Sequence, residues 1–386
     1  MQLSKKRIIY INNLINGGKR VKNVFNLFLL IMILGFALVG CGSIDTSGES
    51  SGDNTTDTNN ENVNEEVISS DEEPEIKELT IVGGLDAQTS AQLLIAEELG
   101  YFEEEGIKVN SHLIQNSVDI GPMIAGGSAP VSFEANITDI ILAESNVDVS
   151  IVAPMAQIAG TQGLVKNSDT VINSAKDLEG MTIGMQNGAG VQIAIENMAK
   201  DLGVDIEKLE FINLAPNEQI SALEHGDIDV MAAWEPFITK SINMGNELLF
   251  TGKVSNIPEK QGDVEWMSFH STLQVTDDFL EENPNTIKAI IRGLMKSTDY
   301  INENREESIK ILAPILQLEE DELREVMKRN VYSMTLDESF ISGSDEIANF
   351  LVEVGTIQQA PELTDYVNFE LLTEVAPQLV ETEIPK

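Results

Sequence analysis

The chain has 386 residues, with 64 acidic against 24 basic side chains and a formal charge of −40 at neutral pH. That balance excludes nucleic acid as a partner, since binding it needs a positive surface that neutralises phosphates. A single cysteine excludes an internal disulfide and a thiolate metal cluster. The acidity reads as solubility in a salty exterior, where screening over about 8 Å leaves bulk charge little say over a pocket.

Residues 1–40 carry six bases and no acid, and they close on an apolar run from Val24 to Leu38. A basic stretch before an apolar one has the form of an export signal. The run is shorter than the ~20 residues of a comfortable membrane span, which leaves a short membrane anchor as the alternative. It ends in "LVGCGS", which resembles a bacterial lipobox. That resemblance implies an exported chain that begins at Cys41 and carries lipid there, drawing membrane affinity from buried methylenes. The polar residues after Cys41 offer none of the apolar packing a core cysteine needs. Residues 41–78 are expected to form an acidic disordered tether, with too little apolar surface to offset the entropy of ordering them.

From Leu79 onward, short apolar runs alternate with amphipathic stretches, which predicts an α/β fold with mostly parallel sheets and length enough for two lobes. "LTIVGG" reads as a buried strand and "LDAQTS" as a loop. A helix follows, with Ala91, Ile95, Leu99 and Phe102 on one face and Thr89 or Ser90 as its cap. A ligand against this helix start would meet free backbone donors, making Asp86, Gln88, Thr89 and Ser90 candidate contacts. The stretch "LIAEELGYFEEEGIKVN" resembles the opening of substrate-binding proteins of ABC importers in the nitrate, sulfonate, taurine and thiamine-precursor group. The resemblance continues over most of residues 79–345. It implies a two-lobed, periplasmic-binding-protein-like fold with a ligand cleft between the lobes.

In "IAGGSAPVSFEANITDIILAE", Gly126 and Gly127 permit a tight turn. The resemblance places Ser128, with Pro130 and Ser132, on a loop facing the cleft; a plain turn is the other reading. "VSIVAPMA" reads as a strand, with Gln157, Thr161 and Gln162 beyond it as polar candidates. The polar segment "KNSDTVINSAKDLEG" resembles the family's crossing into its second lobe. The expected division is therefore 79–165 for the first lobe, 166–258 for the second, and 259–386 for the return to the first and the C-terminal helices. "MTIG" is a short strand, and Asn187, Gly188, Ala189 and Gly190 form a turn into a helix whose inner stripe is Val191, Ile195, Met198 and Leu202. Successive N–H groups before such a helix cradle an anion or a carbonyl oxygen. The spacing matches no nucleotide-binding loop.

In "PNEQISALEHGDIDVMAAWEPFITKS", Gly226 stops a helix and Ile228 to Ala233 form a strand that Pro236 must end. The resemblance puts Trp234, Glu235 and Pro236 at the mouth of the cleft. There Trp234 supplies a flat wall and a donor, and Glu235 a fixed acceptor; a core tryptophan is the alternative. "LQVTDDFLEENPNTIKAIIRGL" resembles the family's return strand and helix, with Pro284 at a helix start and Ile287, Ile290 and Leu294 on its apolar face. Trp266, Phe269 and His270 are placed on the hinge side, His270 in a structural role. Residues 305–386 read as amphipathic helices packed on the first lobe.

The resemblance implies a protein that captures a small solute of the sulfonate, taurine or nitrate type. It would deliver that solute to an ABC permease and ATPase complex from the extracytoplasmic face, anchored through lipid on Cys41. A thiamine-pyrimidine-precursor binder and a sensory binding protein are the alternatives. Helix-start dipoles suit an anionic ligand, whereas Asp86 and Glu235, if turned inward, suit an amine or a cationic ring. No catalytic residue, cofactor or metal is expected. The enzyme relative that makes the thiamine pyrimidine carries a cysteine-rich iron site that one cysteine cannot reproduce, and His112, His225 and His270 stand in no catalytic arrangement.

Overall fold

The computed structural model describes residues 73–382. The export signal, Cys41 and the tether up to residue 72 lie outside the described residues.

The apolar run at the start of the described chain forms β1 (Glu78–Gly84), which leads through α1 (Ala91–Glu98) to β2 (Lys108–Ile114). α2 (Ile120–Ala125) precedes β3 (Val131–Ala135), and α3 (Asn136–Glu144) carries the chain on to β4 (Val149–Gln157). β5 (Gln162–Lys166) opens a second sheet, continued by β6 (Thr182–Met185), α4 (Val191–Leu202), β7 (Glu210–Asn213), α5 (Pro216–His225) and β8 (Val230–Trp234). After α6 (Phe237–Asn243) come β9 (Glu247–Thr251), β10 (Val254–Ser255) and β11 (Gly262–Asp263). β12 (His270–Thr276) returns the chain to the first sheet. It is followed by α7 (Asp277–Glu282), α8 (Pro284–Glu303), α9 (Arg305–Leu316), α10 (Glu320–Lys328), β13 (Val331–Tyr332), α11 (Glu338–Glu353) and α12 (Glu370–Val375).

The first sheet has the order β13-β4-β12-β3-β1-β2 and the second β11-β10-β9-β5-β8-β6-β7. Each contains a parallel trio, β2-β1-β3 or β7-β6-β8. Beside each trio lies an antiparallel strand, β12 in the first sheet and β5 in the second. These two strands have just crossed from the other lobe. The parallel strands end at the cleft and a crossing strand begins there, so its direction is reversed. The sheets are thus mixed rather than mostly parallel, and they share one plan that no fixed-period repeat in the sequence announces.

β5 pairs with β8 and β9, so the first crossing lies at residues 158–161, ahead of the polar segment that marked it in the sequence. That polar composition reflects a loop on the surface of the second lobe, where Asn167 Nδ2 donates to Leu223 O at 3.0 Å. At the crossing, Gly160 is needed for space: a Cβ there would stand 2.7 Å from Arg329 O. α8 buries Ile287, Ile290, Ile291, Leu294 and Ile301 along one face, as its periodicity requires. Its start is capped by Glu75, which accepts from Asn285 N at 3.0 Å and Thr286 N at 2.7 Å. The last residues of the stretch expected as tether are therefore tied to the first lobe.

Candidate functional site

The cleft-side ends of β3, β5 and β8, with the loops after β1 and β6, surround a cavity of about 400 Å³. Gln88 and Thr89 reach it from the loop before α1, Glu134 and Ala135 from the end of β3, and Gln162 from the start of β5. Gly188, Ala189 and Gly190 form the opposite wall, closed by Trp234 and Phe269. The lining holds no lysine, arginine, histidine or cysteine among the described residues.

On the first-lobe side, two of the chain's own carboxylates bond backbone N–H groups just ahead of α1 and α3. Asp86 Oδ1 accepts from Gln88 N at 3.0 Å, Thr89 N at 2.8 Å and Thr89 Oγ1 at 3.0 Å. Burial pushes its carboxyl up to about 6, against the pull of those hydrogen bonds. Just ahead of α3, Glu134 Oε1 accepts from Ala135 N at 2.8 Å, while Oε2 is buried and has no partner among the described residues. Burial, reinforced by the nearby Asp86 charge, pushes Glu134 up to about 8. Asp139, one turn into α3, is raised well above the usual range by burial and then by Glu134, and Gln274 Nε2 donates to it.

The second-lobe side differs. The chain turns at Gly188, whose φ of +80° suits glycine, and enters α4 through Ala189 and Gly190. Gly190 has an ordinary φ of −59°, and here space rather than backbone freedom demands glycine: a Cβ would lie 2.5 Å from Phe269 Cζ. Among the described residues, no group accepts from Gly188 N or Gly190 N. Ala189 N, Gln192 N and Ile193 N are bonded to backbone carbonyls, which leaves Gly188 N and Gly190 N as the donors beside the cavity.

Gln88 links the crossing to the first lobe, its Oε1 accepting from Thr161 Oγ1 and, at 3.1 Å, from Gln162 Nε2. Trp234 is both wall and core: it lines the cavity, is only 6% exposed, and packs edge-on against Phe237 with ring centres 6.1 Å apart. The two readings of this residue from the sequence are therefore not alternatives.

The expected contacts divide cleanly. Gln88, Thr89, Gly188, Ala189, Gly190 and Trp234 meet at the cavity. Glu235 does not: it is 0% exposed, accepts from Thr239 N and Thr239 Oγ1 at 3.0 Å each, and pairs with Arg329. Burial pushes this carboxyl up while Arg329 and Thr239 pull it down. Arg329 follows α10, which packs on α9 and on α6 of the second lobe, so the pair ties the lobes together. Asp86 faces a separate small cavity behind Trp234, lined also by Lys240. Ser90 is fully buried beside Gly83 and makes no side-chain cap bond at α1, while Asp86 ties the loop ahead of the helix through Thr89 N. Ser128 is exposed and donates to Met123 O at 3.1 Å, while Gln157 sits at the end of β4 opposite His270 and Val331. Asn187 donates its N–H to Asn213 Oδ1 at 3.0 Å and stands outside the cavity. Of the hinge candidates only Phe269 lines it. Trp266 donates to Asp201 Oδ2 at 3.1 Å and packs on Phe250, and His270 is buried against Phe340, its pKa pushed down to about 4 by that burial.

Glu134 escaped the sequence reading. Its signal was available: a carboxylate inside "PVSFEANI", where a strand otherwise turns to the core, is rare unless it has a partner or a role.

A family model described as NMT1/THI5 like matches residues 87–308. The putative aliphatic sulfonates-binding protein of Bacillus subtilis is 22% identical over 348 residues, covering 89% of this chain and 94% of that protein. The 4-amino-5-hydroxymethyl-2-methylpyrimidine phosphate synthase of Aspergillus parasiticus is 23% identical over 223 residues, covering 55% of this chain and 62% of that enzyme. The crystal structure of the periplasmic aliphatic sulphonate binding protein SsuA from Escherichia coli matches with a TM-score of 0.63 at 15% identity, over 76% of this chain and 92% of that one. That likeness shows the fold, a two-lobed solute-binding architecture.

Proposed function

From the premise that the chain belongs to the NMT1/THI5 like family, we propose that it is an extracytoplasmic solute-binding lipoprotein that captures a small organic sulfonate or related anion and delivers it to an ABC permease and ATPase complex. The observation that carries this reading is the open N–H cradle of Gly188 and Gly190 at the start of α4, on a cavity whose lining has no cation. Backbone donors at a helix start bind an anionic head without a fixed positive side chain. Trp234 and Phe269 give the apolar walls, and Gln88 and Gln162 the polar groups that orient the solute.

The bare Oε2 of Glu134 favours a second reading. A buried acceptor without a partner suits a solute that brings an N–H donor, such as an amino-sulfonate or an aminopyrimidine. Calorimetric titration with alkanesulfonates, taurine, nitrate and aminopyrimidines separates the two. Sulfonate binding that weakens in Gly190→Ala supports the first reading. Binding of the pyrimidines alone, lost in Glu134→Ala, replaces it with the second.

Anchoring is part of the same proposal. Cys41→Ala should move the protein from the membrane fraction to the soluble fraction of the producing cell. Retention in the membrane, or a mature N-terminus upstream of residue 41, would assign the anchor to Val24–Leu38 instead.

A further inference from the structure

We propose that the smaller cavity behind Trp234 is a second binding site, which takes a small α-amino acid in its zwitterionic form. The proposal does not depend on which solute the larger cavity takes.

The smaller cavity has a volume of about 120 Å³ and shares one lining residue, Trp234, with the larger one. Both lobes line it. Asp86 and Gln115 stand in the loops after β1 and β2, and Gln317 follows α9; from the second lobe come Asn217, in the first turn of α5, and Lys240 on α6. At ~10–15 Å³ for each water that a cavity admits, there is room for roughly ten waters. That volume suits a compact molecule of a few non-hydrogen atoms and excludes one with an extended body.

Two charged groups of the lining keep bonding capacity. Asp86 is lost to the larger cavity but not to this one: it is 5% exposed, Oδ1 holds the loop through Gln88 and Thr89, and no donor among the described residues reaches Oδ2. Lys240 makes no ion pair among the described residues. Its Nζ lies 5.8 Å from the centre of the Phe237 ring, and Glu322, which feels its charge, takes no hydrogen bond from it. Gln115, Asn217 and Gln317 add carboxamides that can donate or accept.

The complementary ligand carries both charges. A carboxylate takes a charge-assisted hydrogen bond from Lys240, and an ammonium supplies the donor that Asp86 Oδ2 lacks. An anion without an amine brings a like charge to Asp86 and leaves that oxygen unmatched, whereas an amine without an anion is opposed by Lys240. The larger cavity, lined by no lysine or arginine among the described residues, offers no such pair of opposite charges.

The test is calorimetric titration of the full chain with glycine, L-alanine and L-serine, set against acetate and methylamine, which each carry one of the two charges. At least one amino acid is expected to bind about tenfold or more tightly than either single-charge fragment, and Lys240→Met should weaken that binding by about tenfold or more. If thermal melting shows Lys240→Met to be misfolded, Asn217→Phe, which fills the cavity from an exposed position, is read by the same criterion. Binding that survives the substitution overturns the proposal, and its loss in Glu134→Ala would then assign the amino acid to the larger cavity. Absence of amino-acid binding up to about 10 mM, or acetate bound as tightly as the amino acids, also overturns it.

Discussion

On the first-lobe side of the cleft, the segments leading into α1 and α3 hold carboxylates bonded to their own backbone, Asp86 on Gln88 N and Thr89 N, and Glu134 on Ala135 N. On the second-lobe side, α4 begins at Gly188–Gly190 with no acid on its donors. Both lobes use the same topology to bring helix starts to the cleft, yet one wall is furnished with acids and the other with bare N–H groups. The difference gives the cleft a direction. An anionic head is favoured at the second lobe, and above about pH 8, where Glu134 ionises, it is repelled from the first, which then favours a donor group.

Trp234 is cavity wall and core at once, and Trp234→Ala should have the largest effect. Truncating a buried tryptophan costs ~3–5 kcal/mol of folding stability, and loss of a wall aromatic costs ~2 kcal/mol or more in affinity, about thirtyfold in Kd. Urea unfolding of the apo protein together with titration of the folded fraction measures both. Unchanged affinity in the folded variant would restrict Trp234 to the core.

The lobes are joined by Glu235 and Arg329, and Arg329→Met should destabilise the protein by about 3 kcal/mol, because it strands a buried carboxylate. Replacing both partners, Glu235→Gln with Arg329→Met, should recover most of the loss. A double variant as unstable as the single one would deny the pair its role.

Glu134 tests the acidic wall. Its pKa stands near 8 in the folded protein against 4.5 in an unfolded chain, so the folded state holds the proton more tightly. Its stabilising contribution is complete below pH 4.5 and is lost as pH rises through 8. Glu134→Gln, which cannot ionise, should be more stable than the wild type at alkaline pH, with the gap closing under acid conditions. Unfolding curves at both extremes check the sign; a gap that widens in acid would show Glu134 to be stabilised as a carboxylate.

The smallest effect is expected from Gly190→Ala. The added methyl meets the Phe269 ring and should cost about 1 kcal/mol of stability and about tenfold in affinity for an anionic ligand. Equal weakening for anions and for donor-bearing neutral ligands would show that the cradle has no preference for charge, and the direction assigned to the cleft would be lost.

What the sequence determined by itself is local. The apolar stripe of α8, the stop at Gly226, the turn before α4 and the end of β8 at Trp234 were legible because periodicity, glycine dihedrals and proline's missing donor act over a few residues. The family resemblance added the two lobes and the cleft. Tertiary structure decided which polar groups remain free to meet a ligand. Asp86 and Glu235 have the right chemistry and stand in the right segments, but backbone donors of the loop before α1 claim the first and Arg329, ninety-four residues further along the chain, claims the second. Glu134 was hidden in a strand and emerges with an oxygen no neighbour satisfies. Whether a buried donor or acceptor is already paired depends on groups far away in sequence, and no local pattern carries that information.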